Sequence, residues 1–145
     1  MFFETLGAGP HVVFVHGSVV GPASWRPQRA LSDRYALVLV TRPGFGADDP
    51  PGPVDFERDA ALLGELLAPG DHLVGASYGG VVSLLAAAGR DDLRSLTVIE
   101  PPAFALVGER ADLVELKRHY AEGPREPRAF LTRFLELVGS PLELP

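Results

Sequence analysis

The stretch that decides the fold is HLVGASYGGVVSLLAAA, at residues 72–88. It opens with a short apolar run at residues 72–76, passes through a glycine-rich turn, and continues in an apolar segment at residues 81–88. A continuous apolar run predicts a strand that is buried on both faces, and the second segment predicts a helix packed deep against a sheet. The stretch therefore predicts a buried strand, a tight turn and a buried helix.

The turn carries the pattern Gly-x-Ser-x-Gly, from Gly75 to Gly79, with Ser77 at its centre. Small residues on either side allow a strained turn that projects the Ser77 hydroxyl above the sheet. The helix that follows offers backbone N–H groups to an anion. The turn is therefore a candidate site for a serine nucleophile. A glycine-rich turn without a chemical role fits the same pattern.

Three further apolar runs lack polar alternation, at residues 11–16, 35–41 and 95–100. Helical patterns separate the runs, at residues 23–32, 55–68 and 81–88, and Asp55 is placed to cap the second of them. Strands that alternate with helices predict an α/β fold with a parallel sheet and right-handed crossovers.

The pattern changes after Glu100, where Pro101 and Pro102 interrupt the chain. Two amphipathic helices are predicted at residues 103–120 and 127–138, and no strand follows them. We therefore expect two parts, a sheet-containing part at residues 1–102 and a helical part at residues 103–145.

A second candidate loop, His16-Gly17-Ser18, follows the first predicted strand directly. Gly17 allows the backbone to turn close to a ligand. The backbone N–H of Ser18 could pair with that of Tyr78 to hold a developing oxyanion. His16 is better explained as a residue that shapes the loop than as one that transfers protons. Residues 42–46, Arg-Pro-Gly-Phe-Gly, are by themselves only a turn with an aromatic anchor.

Composition excludes several classes of protein. The chain has 145 residues, no cysteine and a net charge of −6, which argues against disulfides, thiolate metal sites and a general nucleic-acid surface. No histidine or carboxylate cluster has metal-ligand spacing, and no cofactor is implied. Because no run reaches about 18 apolar residues, we expect no membrane partner and take a cytoplasmic protein as the default.

Four segments in this order, HVVFVHGS, LVLVTRPGFG, LVGASYGG and LTVIEPP, resemble the α/β-hydrolase superfamily. The resemblance extends from about Phe3 to Pro145. It implies strands three to six of that fold, followed by the start of a helical cap at residues 103–145. It also implies that the first strand here lies between the second and the third, which puts the switch point of the sheet beside Ser18 and Ser77.

The resemblance also implies residue roles. Ser77 matches the nucleophile, and Ser18 and Tyr78 match the two backbone donors of the oxyanion hole. His16 and Gly17 match the family's His-Gly loop. Trp25 matches a common packing aromatic.

The match to the family's catalytic base and acid is incomplete. The family places its histidine after the last strand, whereas His11, His16 and His72 precede Ser77, and His119 is expected to be an exposed helix residue. Glu100 is a candidate acid, or else a structural carboxylate at the pocket floor. We therefore expect the N-terminal part of a serine hydrolase that lacks its catalytic histidine, and that on its own is inactive or weakly active because the triad is incomplete.

Two functions remain open at this point. The first is esterase-like hydrolysis of an acyl bond in a small ester-like or apolar substrate, through a covalent acyl–Ser77. The second is a non-catalytic α/β domain that binds a small apolar ligand or a partner chain. A nucleotide-binding domain is excluded because no G-x-x-x-x-G-K-[ST] pattern is present. The apolar edge at residues 95–100 predicts self-association.

Overall fold

The structure, a computed structural model, describes residues 1–18, 21–47, 54–106, 111–122 and 127–139. The chain divides into two compact units, Met1–Pro102 and Ala103–Pro145. Every strand of the described residues lies in the first unit.

The sheet of the first unit is mostly parallel. It consists of β1 (Phe2–Leu6), β2 (His11–Val15), β3 (Ala36–Thr41), β4 (His72–Ala76) and β5 (Ser95–Ile99). The strand order is β1-β3-β2-β4-β5, with β1 antiparallel to β3 and every other pair parallel. The four strands predicted from the sequence are confirmed, each within one residue of its predicted bounds, and so is the position of β2 between β3 and β4.

The first strand, β1, was not among the predicted strands. Its sequence, FFETL, contains Glu4 and Thr5 and therefore lacks the continuous apolar run that predicts a buried strand. Phe2 and Phe3 are 65% and 56% exposed. Strand β1 pairs antiparallel with β3, so backbone hydrogen bonds to β3 stabilise it more than burial of its side chains does.

The two faces of β2 and β3 contact different hydrophobic clusters, because successive side chains of a strand point to opposite faces. One cluster lies against the helices: Val13, Val15, Val38, Val40, Ala60, Leu63, Leu67, Leu73, Tyr78 and Val82. The other lies on the opposite face: Phe14, Trp25, Leu37 and Leu39. Phe14 and Trp25 are 5.0 Å apart between ring centroids. The prediction of central strands buried on both faces is confirmed for β2 and β3.

The exposed edge expected at residues 95–100 is confirmed in β5, whereas the burial on both faces that its apolar run alone predicts is wrong. All five of its residues are exposed, although its sequence, SLTVI, includes the apolar residues Leu96, Val98 and Ile99. Local hydrophobicity cannot distinguish a central strand from an edge strand, because that difference depends on which strands pair beside it.

Two α-helices complete the described part of the first unit. Helix α1 (Phe56–Leu66) begins as predicted at Asp55, whose side chain accepts a hydrogen bond from the Arg58 backbone N–H. Helix α2 (Tyr78–Ala87) begins three residues earlier than predicted, because Gly79 and Gly80 belong to its first turn. Residues Gly21–Asp33 form 3₁₀ turns where an α-helix was predicted; Pro27 within them lacks the N–H that an α-helix needs.

The second unit contains a short 3₁₀ turn, Phe104–Leu106, and helices α3 (Ala111–Glu122) and α4 (Pro127–Leu137). Of the helix predicted over residues 103–120, the part from Ala111 onward is confirmed, residues 104–106 form a 3₁₀ turn instead, and residues 107–110 lie outside the described residues. The helix predicted at residues 127–138 is confirmed within a residue. Leu116 and Leu135 are the buried leucines of these helices. No helix of the described residues has both the length and the hydropathy to cross a bilayer.

Candidate active site

The turn between β4 and α2 holds Ser77 in a rare backbone conformation. Its φ is 51° and its ψ is −123°, a region that costs a non-glycine residue free energy. Neighbouring elements hold it there: the Ser77 N–H donates to the Ile99 carbonyl at 2.8 Å, and the Ser77 carbonyl accepts from the Gly80 N–H at 2.8 Å. Ser77 is thereby fixed between the carboxyl end of β4 and the first turn of α2.

The glycines on either side of Ser77 are required by packing. A Cβ atom on Gly75 would overlap the Gly79 carbonyl oxygen and the Ser83 hydroxyl. A Cβ atom on Gly79 would overlap the carbonyl oxygens of Val15 and His16. The Gly-x-Ser-x-Gly pattern therefore lets α2 approach both its own strand and the end of β2.

The loop after β2 lies directly beside Ser77. A Cβ atom built on Gly17 would be 3.1 Å from the Ser77 Cβ and 3.7 Å from its Oγ. Ser18 follows and is exposed. The two segments meet because β2 and β4 are parallel neighbours, and their carboxyl ends share one edge of the sheet. This is also the switch point of the sheet, where ligands bind in open α/β folds.

His16 is fully buried and both of its ring nitrogens are occupied. The Arg42 backbone N–H donates to Nε2 at 3.2 Å, so the proton of the neutral ring lies on Nδ1, which donates to the Gly17 carbonyl at 2.7 Å. Burial, with a smaller contribution from the charge of Arg42, lowers the pKa of His16 from 6.5 to about 4. The geometry fits a residue that shapes the loop.

Sequence reasoning missed a buried charge network beside this loop. Arg42 and Asp59 are only 4% and 2% exposed, and the Arg42 Nη1 lies 3.4 Å from an Asp59 carboxylate oxygen. The Tyr78 hydroxyl donates to that same oxygen at 3.2 Å. Arg58 donates to the other Asp59 oxygen at 3.0 Å. Burial and the Asp59 charge together raise the pKa of Tyr78.

A sequence signal for this network exists in retrospect. Asp59 lies three residues after Phe56 and one before Ala60, within the apolar stripe of α1. A carboxylate on the buried face of a helix needs a partner, and Arg42 directly follows a buried strand.

A family model described as the alpha/beta hydrolase family matches residues 12–143. The chain belongs to this family. Its sheet is the predicted α/β-hydrolase fold, mostly parallel with flanking helices, which confirms the fold class.

Among curated relatives, a pimeloyl-[acyl-carrier protein] methyl ester esterase of Aeromonas hydrophila is 39% identical over 110 residues, covering 70% of this chain and 42% of its own. The enzyme of the same name from Xanthomonas campestris is 32% identical over 143 residues, covering 94% and 56%. This α/β hydrolase chain therefore spans about half the length of the curated relatives it matches.

Solved structures give the same fold. A thermophilic esterase from Thermogutta terrifontis superposes with a TM-score of 0.69 at 27% identity, covering 91% of this chain and 51% of that one. An esterase from Exiguobacterium antarcticum superposes with a TM-score of 0.73 over 93% of this chain and 56% of that one; at 21% identity it shows the fold alone.

Glu100, the candidate acid of this α/β hydrolase, follows β5 just as Ser77 follows β4, and the two strands pair Ala76 with Ile99. Its φ is 47°, and Ser77 and Glu100 are the non-glycine residues with positive φ among those described. Glu100 is exposed. The two candidate residues are therefore neighbours in register at the carboxyl edge of the sheet.

The remaining histidines of this α/β hydrolase chain have other partners. His11 and His72 begin β2 and β4, at the opposite ends of these strands from Ser77; His11 lies 3.4 Å from Asp71, and His72 contacts the Ser95 hydroxyl at 2.7 Å. His119 was expected to be exposed but is partly buried: it stacks on Phe130 and bonds its carbonyl at 2.9 Å. Within the described ranges, no group of residues is arranged to hold a metal ion.

Proposed function

We propose that this chain carries the nucleophile and oxyanion hole of a serine esterase. The single observation that carries the proposal is Ser77, held at φ 51° in a turn directly beside Gly17. A fold gains nothing from a strained serine, and strain of this kind is concentrated at functional sites. The curated relatives from Aeromonas hydrophila and Xanthomonas campestris that match the chain are named esterases.

The proposed reaction is acyl transfer in two steps. The Ser77 Oγ attacks the ester carbonyl carbon, its proton passes to a base, and the ester oxygen leaves as an alcohol. The backbone N–H groups of Ser18 and Tyr78 bind the oxyanion that forms. Water then hydrolyses the acyl–Ser77 ester and releases the carboxylic acid. Tyr78 suits its role because the first N–H groups of a helix have no acceptor within the helix.

The base is proposed to be a histidine that residues 1–145 do not supply. In support, the ring nitrogens of His16 are both occupied, and His11 and His72 lie at the far ends of their strands. The ring of His119 stacks on Phe130 and bonds its carbonyl. Glu100 is the candidate acid that would orient this base, because it follows the strand beside Ser77. On this proposal residues 1–102 are the N-terminal part of the hydrolase core, and residues 103–145 begin its cap.

The substrate is proposed to be an ester of a carboxylic acid. The relatives' name makes a methyl ester of a carrier-bound acyl chain the first natural substrate to test. Activated 4-nitrophenyl esters test the chemistry without requiring that substrate, because their leaving group needs little protonation.

The test is acylation of Ser77 by 4-nitrophenyl butyrate. We expect 4-nitrophenolate release together with a butyryl adduct on the peptide that contains Ser77, detected by mass spectrometry. Ser77→Ala should abolish the adduct. Ser24→Ala, which removes a hydroxyl from the exposed surface, should leave it unchanged. Equal release by the wild type and Ser77→Ala would refute the proposal.

A second candidate function is a non-catalytic domain that binds a partner chain. The observation in its favour is the exposed apolar edge of β5, where Leu96, Val98 and Ile99 are 38%, 36% and 45% exposed. One occupant of this edge is a second copy of the chain, because the backbone of an edge strand can pair with another strand. Absence of any Ser77 adduct together with self-association would favour this function over the esterase.

A further inference from the structure

The Gly17 carbonyl oxygen accepts two hydrogen bonds at once. The His16 Nδ1 donates to it at 2.7 Å and the Arg42 Nη2 at 2.8 Å. The described residues contain no cis peptide bond, and in a trans peptide the carbonyl and the next N–H point in opposite directions. Two donors on the carbonyl therefore fix the direction of the Ser18 N–H, away from Arg42. We infer that Arg42 is a positioning residue that orients the Ser18 N–H for the oxyanion; the inference rests on the proposed function.

The same guanidinium also contacts the second proposed donor residue. The Arg42 Cζ lies 4.0 Å from the centroid of the Tyr78 ring and 4.7 Å from the centroid of the Phe45 ring. The Tyr78 hydroxyl and the Arg42 Nη1 bond the same Asp59 oxygen. Both segments that supply oxyanion donors, the loop after β2 and the start of α2, are therefore tied to one side chain.

An arginine is needed for these contacts. Its Nε donates to the His16 carbonyl at 3.1 Å, while Nη2 and Nη1 reach Gly17 and Asp59. A planar fork with five N–H groups can serve three acceptors in fixed directions, whereas a lysine ammonium is a single point donor.

Neutralising Asp59 does not by itself require Arg42. Arg58 bonds the other oxygen of the same carboxylate from a largely exposed position and makes none of the contacts to the loop. Burying an ion pair is costly compared with an apolar pair of similar volume, so a buried arginine that makes directed bonds to two backbone carbonyls suggests a positional role. The two arginines thus form a matched pair for experiment. Both bind the Asp59 carboxylate, but only Arg42 also binds the loop after β2.

The experiment compares Arg42→Lys with Arg58→Lys. Each variant keeps its positive charge beside Asp59, and only the first loses the fork that holds Gly17. For Arg42→Lys we expect kcat on 4-nitrophenyl butyrate to fall about 10- to 100-fold with KM nearly unchanged, because the oxyanion forms only in the transition state. Arg58→Lys should leave both constants unchanged. A Ser77-dependent activity that Arg42→Lys leaves intact would overturn the inference.

A second readout does not depend on turnover. Exchange of the Ser18 amide hydrogen and its ¹H–¹⁵N resonance report on this peptide directly, and Arg42→Lys should change both while Arg58→Lys changes neither. An unchanged Ser18 amide in Arg42→Lys overturns the inference whatever the kinetics show. Turnover that does not require Ser77 refutes the proposed function instead, and the amide then decides alone whether Arg42 orients the loop. Urea unfolding followed by the fluorescence of Trp25, the only tryptophan, checks that each variant is folded.

Discussion

Ser77 has a conformation that favours glycine, yet a glycine there would have no hydroxyl. Relief of such strain is worth about 1–3 kcal/mol, part of which is offset by the greater freedom of glycine in the unfolded chain. We predict that Ser77→Gly is more stable than Ser77→Ala by about 1 kcal/mol, since alanine keeps the Cβ atom and the strain. Urea unfolding monitored at Trp25 measures the difference, and equal stability of the two variants would contradict it.

His16 makes the stability of the fold depend on pH. Its pKa is about 4 in the folded chain against an ordinary 6.5, so between these values the unfolded chain binds a proton that the folded chain does not. The free energy of unfolding is therefore highest above pH 6.5 and falls as the pH drops toward 4. From pH 7 to pH 5 the expected loss from this residue is about 2 kcal/mol.

Urea titrations at pH 7 and pH 5 test this assignment. His16→Asn, which removes the imidazole, should lose most of the pH dependence even if it is less stable at both values. His11→Gln, which removes a half-exposed imidazole from the same strand region, should retain it. An unchanged dependence in His16→Asn would assign the effect to other groups.

The proposed nucleophile and oxyanion-hole residues that sequence analysis selected share one property: each belongs to a short local motif. Gly75, Ser77 and Gly79 lie within five positions, and the His16-Gly17-Ser18 loop is contiguous. The Arg42–Asp59 pair joins side chains 17 positions apart on two different elements, and no local pattern records such a contact. The strained serine was therefore predictable from the sequence. For the buried network, the position of Asp59 in the apolar stripe of α1 indicates that a partner is needed but not which residue supplies it.

At the scale of elements, the site depends on how closely α2 approaches the end of β2. Gly79 is the point of closest approach, since a Cβ there would overlap two backbone carbonyl oxygens, which cannot move aside as a flexible side chain can. Gly64 in α1 offers the opposite case, because a Cβ there would meet nothing within 4 Å. Packing therefore requires a glycine at position 79 but not at position 64.

We predict that Gly79→Ala lowers the free energy of unfolding by about 2 kcal/mol or more, because it pushes two elements apart. Gly64→Ala should raise it by about 0.5–1 kcal/mol, because alanine favours a helix interior. Thermal or urea unfolding of both variants tests the pair. A Gly79→Ala protein as stable as the wild type would contradict the close contact between α2 and β2.

Element boundaries were predictable where a local signal exists and not elsewhere. Helix α1 begins after Asp55 as expected, because an N-cap needs only one side chain and the backbone N–H of the residue three positions later. The start of α2 was placed too late because Gly79 and Gly80 favour a turn by composition, whereas both lie in the first turn of the helix, where Gly79 packs tightly against the end of β2. Strand β1 was missed because its pairing with β3, and not its own hydrophobicity, makes it a strand.

At the scale of the whole molecule, burial is distributed unevenly across the sheet. The central strands β2 and β3 are covered on both faces, whereas both end strands, β1 and β5, are exposed. The two edges differ in chemistry. Strand β1 carries Glu4, which pairs with Arg29, and such charges discourage pairing with another strand. Strand β5, Ser95–Ile99, carries no charge at all.

We therefore predict that the chain self-associates through β5. Dynamic light scattering should show a mean size that grows with protein concentration. Leu96→Lys, which places a charge on the open edge at a side chain that is already 38% exposed, should reduce this growth without loss of folding. Phe3→Lys on the other edge strand is the matched control, since its side chain is 56% exposed. A chain that stays monomeric at every concentration would contradict self-association. Because only the edge that pairs should respond to the added charge, reduced association in Phe3→Lys alone would show that β1, and not β5, forms the contact.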